Sequence, residues 1–164
     1  MKIICLITGA TDGIGKQTAL ELAHMDYSLA LVGRNSDKGD AVVSELIRET
    51  GNEFIQFHYA DMSSMKSVKE LAIEIQRSYD TIDILLNNAG AYFSQFKLTD
   101  DGFETTIALN HFAYFYFTEL LLDMVKSDTC GRVINVASTA HKKAKLEFND
   151  LQMKNGYKGW TAYR

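Results

Sequence analysis

The first fifteen residues contain the feature that most constrains the fold. An apolar run from Ile3 to Ile7 ends at Thr8, glycines follow at positions 9, 13 and 15, and apolar residues then recur at helical spacing. Glycine allows a sharp turn and lets a pyrophosphate approach the main chain. The free N–H groups of the following helix favour the phosphate charge. This order of strand, glycine turn and helix predicts a nucleotide site, although an ordinary strand-to-helix turn could use the same glycines.

The glycine spacing is G-x-x-x-G-x-G, which differs from the G-x-G-x-x-G of the general dinucleotide fingerprint. A second apolar run, Leu29 to Val32, follows at the distance that a βαβ unit requires. This second run favours the nucleotide-site interpretation over an ordinary turn.

Short apolar runs alternate with amphipathic segments along the whole chain. This alternation is typical of a parallel sheet covered on both faces, and right-handed crossovers give the strand order 3-2-1-4-5 of a Rossmann-like, doubly wound α/β fold. Strands are predicted at 3–7, 29–32, 54–59, 82–86 and 132–137, and helices at about 14–25, from about 42 to Gly51, from Ser67 or Ser64 to about 75, and at about 102–126.

The size and composition fit an ordinary globular domain. The chain has 164 residues, of which 46% are apolar and 23% charged, so one domain is expected. A net charge of −4 gives no reason to expect nucleic acid or an anionic membrane as a partner. Cys5 and Cys130 form no metal-binding spacing, so no metal and a reduced, cytoplasmic protein are expected. The strand begins directly after Met1-Lys2, and no apolar stretch reaches the ~20 residues of a membrane span, so neither a signal peptide nor a span is expected.

Several polar motifs follow predicted strands, at the edge where such sheets bind ligands. Taken together they resemble the short-chain dehydrogenase/reductase family, and the segment from DGFE to LNHF is most similar to its retinol-dehydrogenase-like branch. The matching stretches are TGATDGIG (8–15), ADMSS (60–64), NNAG (87–90), DGFETTIALNHF (101–112), RVINVAS (132–138) and AYR (162–164).

The resemblance implies an NAD(P)-dependent oxidoreductase. Members of this family transfer a hydride between the nicotinamide and an alcohol or carbonyl substrate, often a lipophilic one. The family's long central helix commonly packs against a second copy, so the aromatic run from Phe112 to Phe117 is expected in the core and in a homo-oligomer interface of the full-length form.

The resemblance also implies three sets of cofactor contacts. Asp61 resembles the aspartate that receives the adenine amino group, but it could instead cap the following helix. The turn after the fourth strand resembles the one that lines the adenosine and ribose, but it could simply end that strand. The implied residues are Gly9, Gly13 and Gly15 for the pyrophosphate, Asp61 for the adenine, and Asn88, Ala89 and Gly90 for the adenosine and ribose, with Thr11, Asp12, Ile14 and Met62 as further cofactor-binding positions.

Arg34 favours NADP over NAD. An acidic residue at the end of the second strand would accept the ribose hydroxyls and repel a 2′-phosphate. Gly33-Arg34 stands there instead, and a guanidinium is suited to bidentate phosphate contact. Asp37 is a counter-signal, although it is expected in the first turn of the next helix. NADP is therefore the preferred cofactor and NAD the alternative.

Three residues match the catalytic positions of the family. Asn110 matches the helix asparagine that holds a water in a proton relay, although a helical asparagine could simply be exposed. Ser138 could donate a hydrogen bond to a substrate carbonyl or could merely start a loop. Tyr163 matches the tyrosine that exchanges a proton with the substrate oxygen. Tyr157 competes with it, but Thr161 occupies the position where the motif Tyr-x-x-x-Lys requires lysine.

The sequence departs from the family after Tyr163. The family lysine lies four residues beyond the tyrosine and lowers its pKa, whereas these 164 residues end at Arg164. An unperturbed tyrosine with a pKa near ~10 is only about 0.1% phenolate at pH 7. We therefore expect a fragment truncated after the tyrosine, lacking the last strands of the family fold and inactive by itself. The alternative is a non-catalytic nucleotide-binding or interaction module.

Overall fold

A parallel five-stranded sheet forms the centre of the computed structural model, which describes residues 2–126 and 131–164; Cys130 lies outside these ranges. The strand order is β3-β2-β1-β4-β5, so the predicted Rossmann-like topology is confirmed. The strands are β1 (Ile4–Thr8), β2 (Ser28–Gly33), β3 (Ile55–Tyr59), β4 (Ile84–Asn87) and β5 (Arg132–Asn135). The fourth strand thus begins two residues later than predicted, and the fifth ends two residues earlier.

Helices cover both faces of the sheet. They are α1 (Gly13–His24), α2 (Ser36–Thr50), α3 (Met65–Ser78), α4 (Thr105–Ile107), α5 (Ala113–Lys126) and α6 (Gly159–Tyr163). A π-helical segment (Ala108–Phe112) joins α4 to α5, and a 3₁₀ turn (Thr139–Lys143) follows β5. In the described ranges, no helix has the length and hydropathy of a membrane span.

Alternate residues of β1 face two separate hydrophobic clusters. Leu6 packs in a cluster that includes Leu71 of α3 and Phe117 of α5. Cys5 and Ile7 face the opposite side, where α1 and α2 cover the sheet. All three β1 side chains are fully buried. The central strand therefore holds its carboxyl end, and the glycine turn that follows, in a fixed place.

The helix predicted from Gly102 to Lys126 is wrong in its first part. Gly102 has a φ of +80°, and α4 begins only at Thr105, because the side chain of Glu104 accepts hydrogen bonds from the N–H groups of the first turn. The wider π-helical turn then interrupts the α-helix around Asn110. For α3 the alternative cap is correct, since the Ser64 hydroxyl accepts from the Ser67 N–H.

Candidate functional site

A cavity of about 1220 Å³ opens where β1, β4 and β5 end. It brings together most of the predicted site residues. They come from the glycine turn and from the segments that contain the family's catalytic positions. Thr11, Gly15, Arg34, Asp61 and Met62 do not line it. The nominated residues that do are Gly9, Asp12, Gly13, Ile14, Asn88, Ala89, Gly90, Asn110, Ser138 and Tyr163.

Two of the glycines are required by close packing. Gly9 has a φ of +67°, and a Cβ added there would lie 2.8 Å from the Cα of Ala89. A Cβ on Gly15 would lie 2.4 Å from the Gly9 carbonyl oxygen. The turn after β1 is therefore pressed against both the turn after β4 and the start of α1.

The start of α1 presents unpaired main-chain donors. Asp12 caps the helix by accepting from the Gly13 N–H at 2.8 Å. Ile14 and Gly15 lie in the first turn, where N–H groups have no intrahelical acceptor. A Cβ added to Gly13 would meet nothing within 4 Å, so the space beside the turn is open. This arrangement suits an anion at the helix N-terminus.

Thr8 joins the two turns, a role that was not predicted from the sequence. Its Oγ1 accepts from the N–H groups of Asn88 at 2.9 Å and Ala89 at 3.0 Å. The Asn88 amide in turn donates to the carbonyl oxygens of Thr8 at 2.8 Å and Gly9 at 3.1 Å. The only sequence signal was the position of Thr8 at the start of the motif TGATDGIG.

Arg34 lies outside the cavity but close to the glycine turn. The preceding Gly33 packs closely against Thr11. A Cβ added to Gly33 would lie 2.7 Å from Thr11 Cγ2. The Ala10 N–H donates to the Val32 carbonyl at 3.0 Å, which also ties the turn to the end of β2. The Arg34 side chain is exposed at this junction. Asp37 lies in the first turn of α2, as expected.

Asp61 orders the turn that precedes α3. Its Oδ1 accepts from the N–H and the hydroxyl of Ser63, at 2.9 and 2.7 Å. Its own N–H donates to the Ser67 hydroxyl at 3.0 Å. Met62 is buried beside it. The alternative role of Asp61 as the helix cap is wrong, because Ser64 caps α3 and Asp61 bonds to Ser63 before the helix. The bonds to Ser63 use only one of the two carboxylate oxygens of Asp61.

Asn110 is half-buried and bonded rather than exposed. From the π-helical segment, its Nδ2 donates to the Ala91 carbonyl at 2.9 Å and its Oδ1 accepts from the Ala91 N–H at 3.0 Å. A Cβ on Gly90 would lie 3.2 Å from the same Oδ1. Asn110 therefore fixes the loop that follows β4 against the helix.

Ser138 and Tyr163 face the cavity from the segments after β5. The Ser138 hydroxyl accepts from the Ala140 N–H at 3.2 Å, which leaves its own hydrogen free to be donated elsewhere. The Tyr163 ring stacks on Trp160 with a centroid distance of 5.7 Å and lies edge-on to Tyr92 at 6.3 Å. Tyr157 does not line the cavity, and its hydroxyl lies 3.1 Å from the Glu104 carboxylate.

The aromatic run of α5 has three different environments. Phe117 is fully buried, Phe115 is 64% exposed, and Tyr114 is half-buried on the cavity wall. Burial, and then the nearby Tyr163, raise the pKa of Tyr114 to about 12, so its hydroxyl stays protonated at neutral pH. Tyr92, Tyr114 and Phe115 line the cavity although the sequence did not indicate it, because an aromatic run gives no sign of which ring faces a cavity.

Fold and site together define a Rossmann-type, nucleotide-binding α/β protein. The chain belongs to the short chain dehydrogenase family, whose sequence pattern matches residues 3–149. Human retinol dehydrogenase 13 is 40% identical over 146 residues, covering 89% of this chain and 44% of that protein. Human retinol dehydrogenase 11 is 36% identical over 160 residues, covering 98% and 50%. The predicted resemblance to the retinol-dehydrogenase-like branch is thus confirmed.

A solved structure supports the same assignment. The short-chain dehydrogenase from Sphingobium yanoikuyae in complex with NADPH is 27% identical and superposes with a TM-score of 0.76, covering 98% of this chain and 59% of that one. The chain spans about half the length of the curated relatives it matches.

Proposed function

We propose that this chain carries the cofactor-binding part and the proton-transfer groups of an NADP-preferring oxidoreductase acting on an alcohol or carbonyl. The observation that supports this most strongly is the single cavity that joins the glycine turn to Asn110, Ser138 and Tyr163. An ordinary structural turn would not require a shared cavity with a serine and a tyrosine from segments more than 120 residues later.

The residues present fit a dinucleotide. The glycine turn leaves an open space and main-chain donors for the pyrophosphate, with Gly9, Gly13 and Gly15 allowing the close approach. Asp61 follows β3 and the turn from Asn88 to Gly90 follows β4, both at the carboxyl edge of the parallel sheet, and we assign them to the adenosine. When bound, the cofactor supplies or accepts the hydride.

The chain's own residues would handle the proton. Tyr163 would exchange the proton of its hydroxyl with the substrate oxygen. Ser138 would donate its remaining hydrogen to the same oxygen and so hold it in place. Asn110 holds the Ala91 backbone through both amide atoms, and we assign it to the proton path beside Tyr163.

The cavity mouth favours a lipophilic substrate. Ile14 is 66% exposed, Phe115 64% and Tyr92 50%, and all three line the cavity. Large exposed apolar side chains around a concave site are typical of apolar ligand contact. The names of the relatives, retinol dehydrogenases, agree with a substrate of this class. A cytoplasmic location and a homo-oligomeric full-length form remain predictions.

Cofactor titration tests the nucleotide site. We expect the wild type to bind NADP more tightly than NAD by isothermal titration calorimetry. Arg34→Asp should weaken NADP binding by about 10- to 100-fold, because a charge-assisted hydrogen bond contributes about 1.5–3 kcal/mol. Arg48→Asp, an exposed arginine near the other end of α2, is the matched control. Equal affinities in the wild type, or an unchanged Arg34→Asp variant, would contradict the proposal.

Turnover tests the catalytic assignment. We expect negligible activity from residues 1–164 with NADPH and a panel of carbonyls, because the position four residues beyond Tyr163 lies outside them. A longer form with lysine at that position should be active, and Tyr163→Phe should abolish its turnover. Cofactor binding without turnover in the longer form would favour the alternative, a non-catalytic nucleotide-binding module. Substantial activity of the 164-residue chain would overturn the expectation.

A further inference from the structure

Glu104 is a buried carboxylate that does not line the cavity and to which the family resemblance assigns no role. It is 2% exposed and immediately precedes α4. Its Oε1 accepts from the N–H and the hydroxyl of Thr106, at 2.8 and 2.9 Å, and its Oε2 accepts from the Ile107 N–H at 3.0 Å. A buried charge needs such partners, because its desolvation is costly. These bonds alone would make Glu104 a helix cap.

Glu104 also binds a distant part of the chain. The Tyr157 hydroxyl lies 3.1 Å from Glu104 Oε1, 3.0 Å from the Thr106 hydroxyl and 3.1 Å from the Phe93 carbonyl. The Glu104 N–H donates to the Gln152 side chain at 2.8 Å. Burial raises the pKa of Tyr157, and the charge of Glu104 also raises it, so the hydroxyl remains a donor. A helix cap does not require these contacts.

Glu104 and Tyr157 are each followed in the chain by a segment that reaches the candidate site, one containing Asn110 and the other Tyr163. After Glu104, α4 continues into the π-helical segment that contains Asn110. After Tyr157, Gly159 packs so closely that a Cβ would lie 2.3 Å from the Phe93 carbonyl, and α6 then ends at Tyr163. Both paths are short, because Asn110 lies six residues after Glu104 and Tyr163 lies six residues after Tyr157. A shift at the Glu104–Tyr157 contact would therefore move Tyr163 relative to Asn110.

We propose that Glu104 is a positioning residue of the candidate active site, which acts through the Tyr157 hydroxyl to hold Tyr163 in register with Asn110. A catalytic role for the relative position of Tyr163 and Asn110 rests on the proposed function. The coupling between Glu104 and the position of α6 does not. A residue that served only as a helix cap would affect α4 and would leave α6 unchanged.

Tyr157→Phe tests the coupling between Glu104 and α6 separately from the helix cap. The variant removes the hydroxyl, keeps the ring that packs edge-on against Phe96 at 5.6 Å, and leaves the cap bonds of Glu104 intact. Tyr59→Phe, at an exposed tyrosine at the end of β3, is the matched control. Trp160 is the single tryptophan of the chain and stacks on Tyr163, so its fluorescence reports the position of α6.

We expect amide hydrogen exchange over residues 157–163 to accelerate about tenfold or more in Tyr157→Phe, as removal of a hydrogen bond to a charged group allows. Exchange in β1 and β2 should stay unchanged, and the Trp160 emission should shift. Glu104→Gln should show the same change in α6 and an added change in α4. If Glu104→Gln fails to fold, Tyr157→Phe still decides the question.

Unchanged exchange over 157–163 together with an unchanged Trp160 emission in Tyr157→Phe would overturn the proposal. Calorimetric titration of the same variants with NADP separates this failure from that of the proposed function. If the wild type does not bind NADP, the proposed function fails, whereas the exchange experiment still measures the coupling. If NADP binds and α6 does not respond, only the role of Glu104 is wrong.

Discussion

The two strands that flank β4 each contain consecutive apolar residues, but these residues lie in opposite environments. In β1, Cys5, Leu6 and Ile7 are fully buried between two strands and two hydrophobic clusters. In β5, Val133 is half-buried and Ile134 is 45% exposed, and within the described residues β5 pairs with β4 alone. An apolar run therefore predicts that a strand forms, whereas burial depends on which elements lie on both of its sides and faces.

Truncation of one side chain in each strand should give the largest difference in the free energy of unfolding. Leu6→Ala removes a fully buried side chain from the central strand and should lower the free energy of unfolding by about 2–5 kcal/mol. Val133→Ala should cost about 1 kcal/mol or less, because the side chain is already partly in contact with solvent. Urea unfolding followed by circular dichroism measures both values. Equal losses would show that β5 is as well covered as β1.

The glycine turn after β1 should be the next most sensitive place. Gly15→Ala forces a Cβ to within 2.4 Å of the Gly9 carbonyl, so the turn must shift, at a cost of about 1–3 kcal/mol. NADP affinity should fall with it, because the same turn is assigned to the pyrophosphate.

Gly51→Ala is the control for this prediction. Gly51 has a φ of +73° with nothing within 4 Å of an added Cβ, so only backbone strain of about 1–2 kcal/mol is expected. NADP affinity should stay the same in this variant. Loss of NADP binding in both variants would mean that destabilisation, rather than the geometry of the turn, controls affinity.

The sequence predicted the sheet well because its signals are local. Strand alternation, the glycine turn and the strand order required only periodicity and the handedness of crossovers. The helix from 102 to 126 was predicted wrongly at its start because the Glu104 side chain caps α4, so the helix begins only at Thr105. The apolar periodicity also gives no sign of the π-helical segment, in which the Ala113 N–H donates to the Ala108 carbonyl. Ile14 fits the helical period of α1 and is nevertheless 66% exposed at the cavity.

The site was predicted in part, for the same reason. Gly9, Asn88, Ser138 and Tyr163 follow strands or match motifs, so the sequence could nominate them, and the structure places all four at one cavity. The positions of Thr8 and Glu104 in recognised motifs gave no hint of their bonding. Thr8 bonds to Asn88, which lies 80 positions away, and Glu104 bonds to Tyr157, which lies 53 positions away. Contacts at such separations cannot be derived from one sequence without the fold.

Alkaline pH should reveal the burial of β1 through Cys5. Burial, and then the charge of Asp83, raise the pKa of the Cys5 thiol from its ordinary value of 9.0 to about 12. Above the ordinary value the unfolded chain loses this proton and the folded chain keeps it, so stability falls as pH rises, by about 1.4 kcal/mol per pH unit.

The free energy of unfolding at pH 8 and pH 10 measures this effect. Cys5→Ala should flatten the decline between these two values even if it lowers stability at both. Tyr79 and Tyr114, whose pKa values are also raised to about 12, affect stability only above the ordinary tyrosine pKa of 10.0. The same slope in the wild type and in Cys5→Ala would mean that the thiol does not sense the burial of β1.

The smallest effect on the stability of a single chain, and the most direct test of β5, concerns association. One edge of β5 presents backbone groups that pair with no other strand of the described sheet, and Ile134 adds an exposed apolar side chain. Such an edge is a template for strand pairing, and the chain contains no proline to interrupt it.

We expect the 164-residue polypeptide to self-associate with rising concentration in sedimentation velocity. Ile134→Lys should suppress this association without changing the unfolding midpoint, because a charged edge opposes pairing. Ile73→Lys, at a position of similar exposure on α3, should leave it unchanged. A monodisperse wild-type monomer with strong amide protection across 132–135 would show that β5 is already covered.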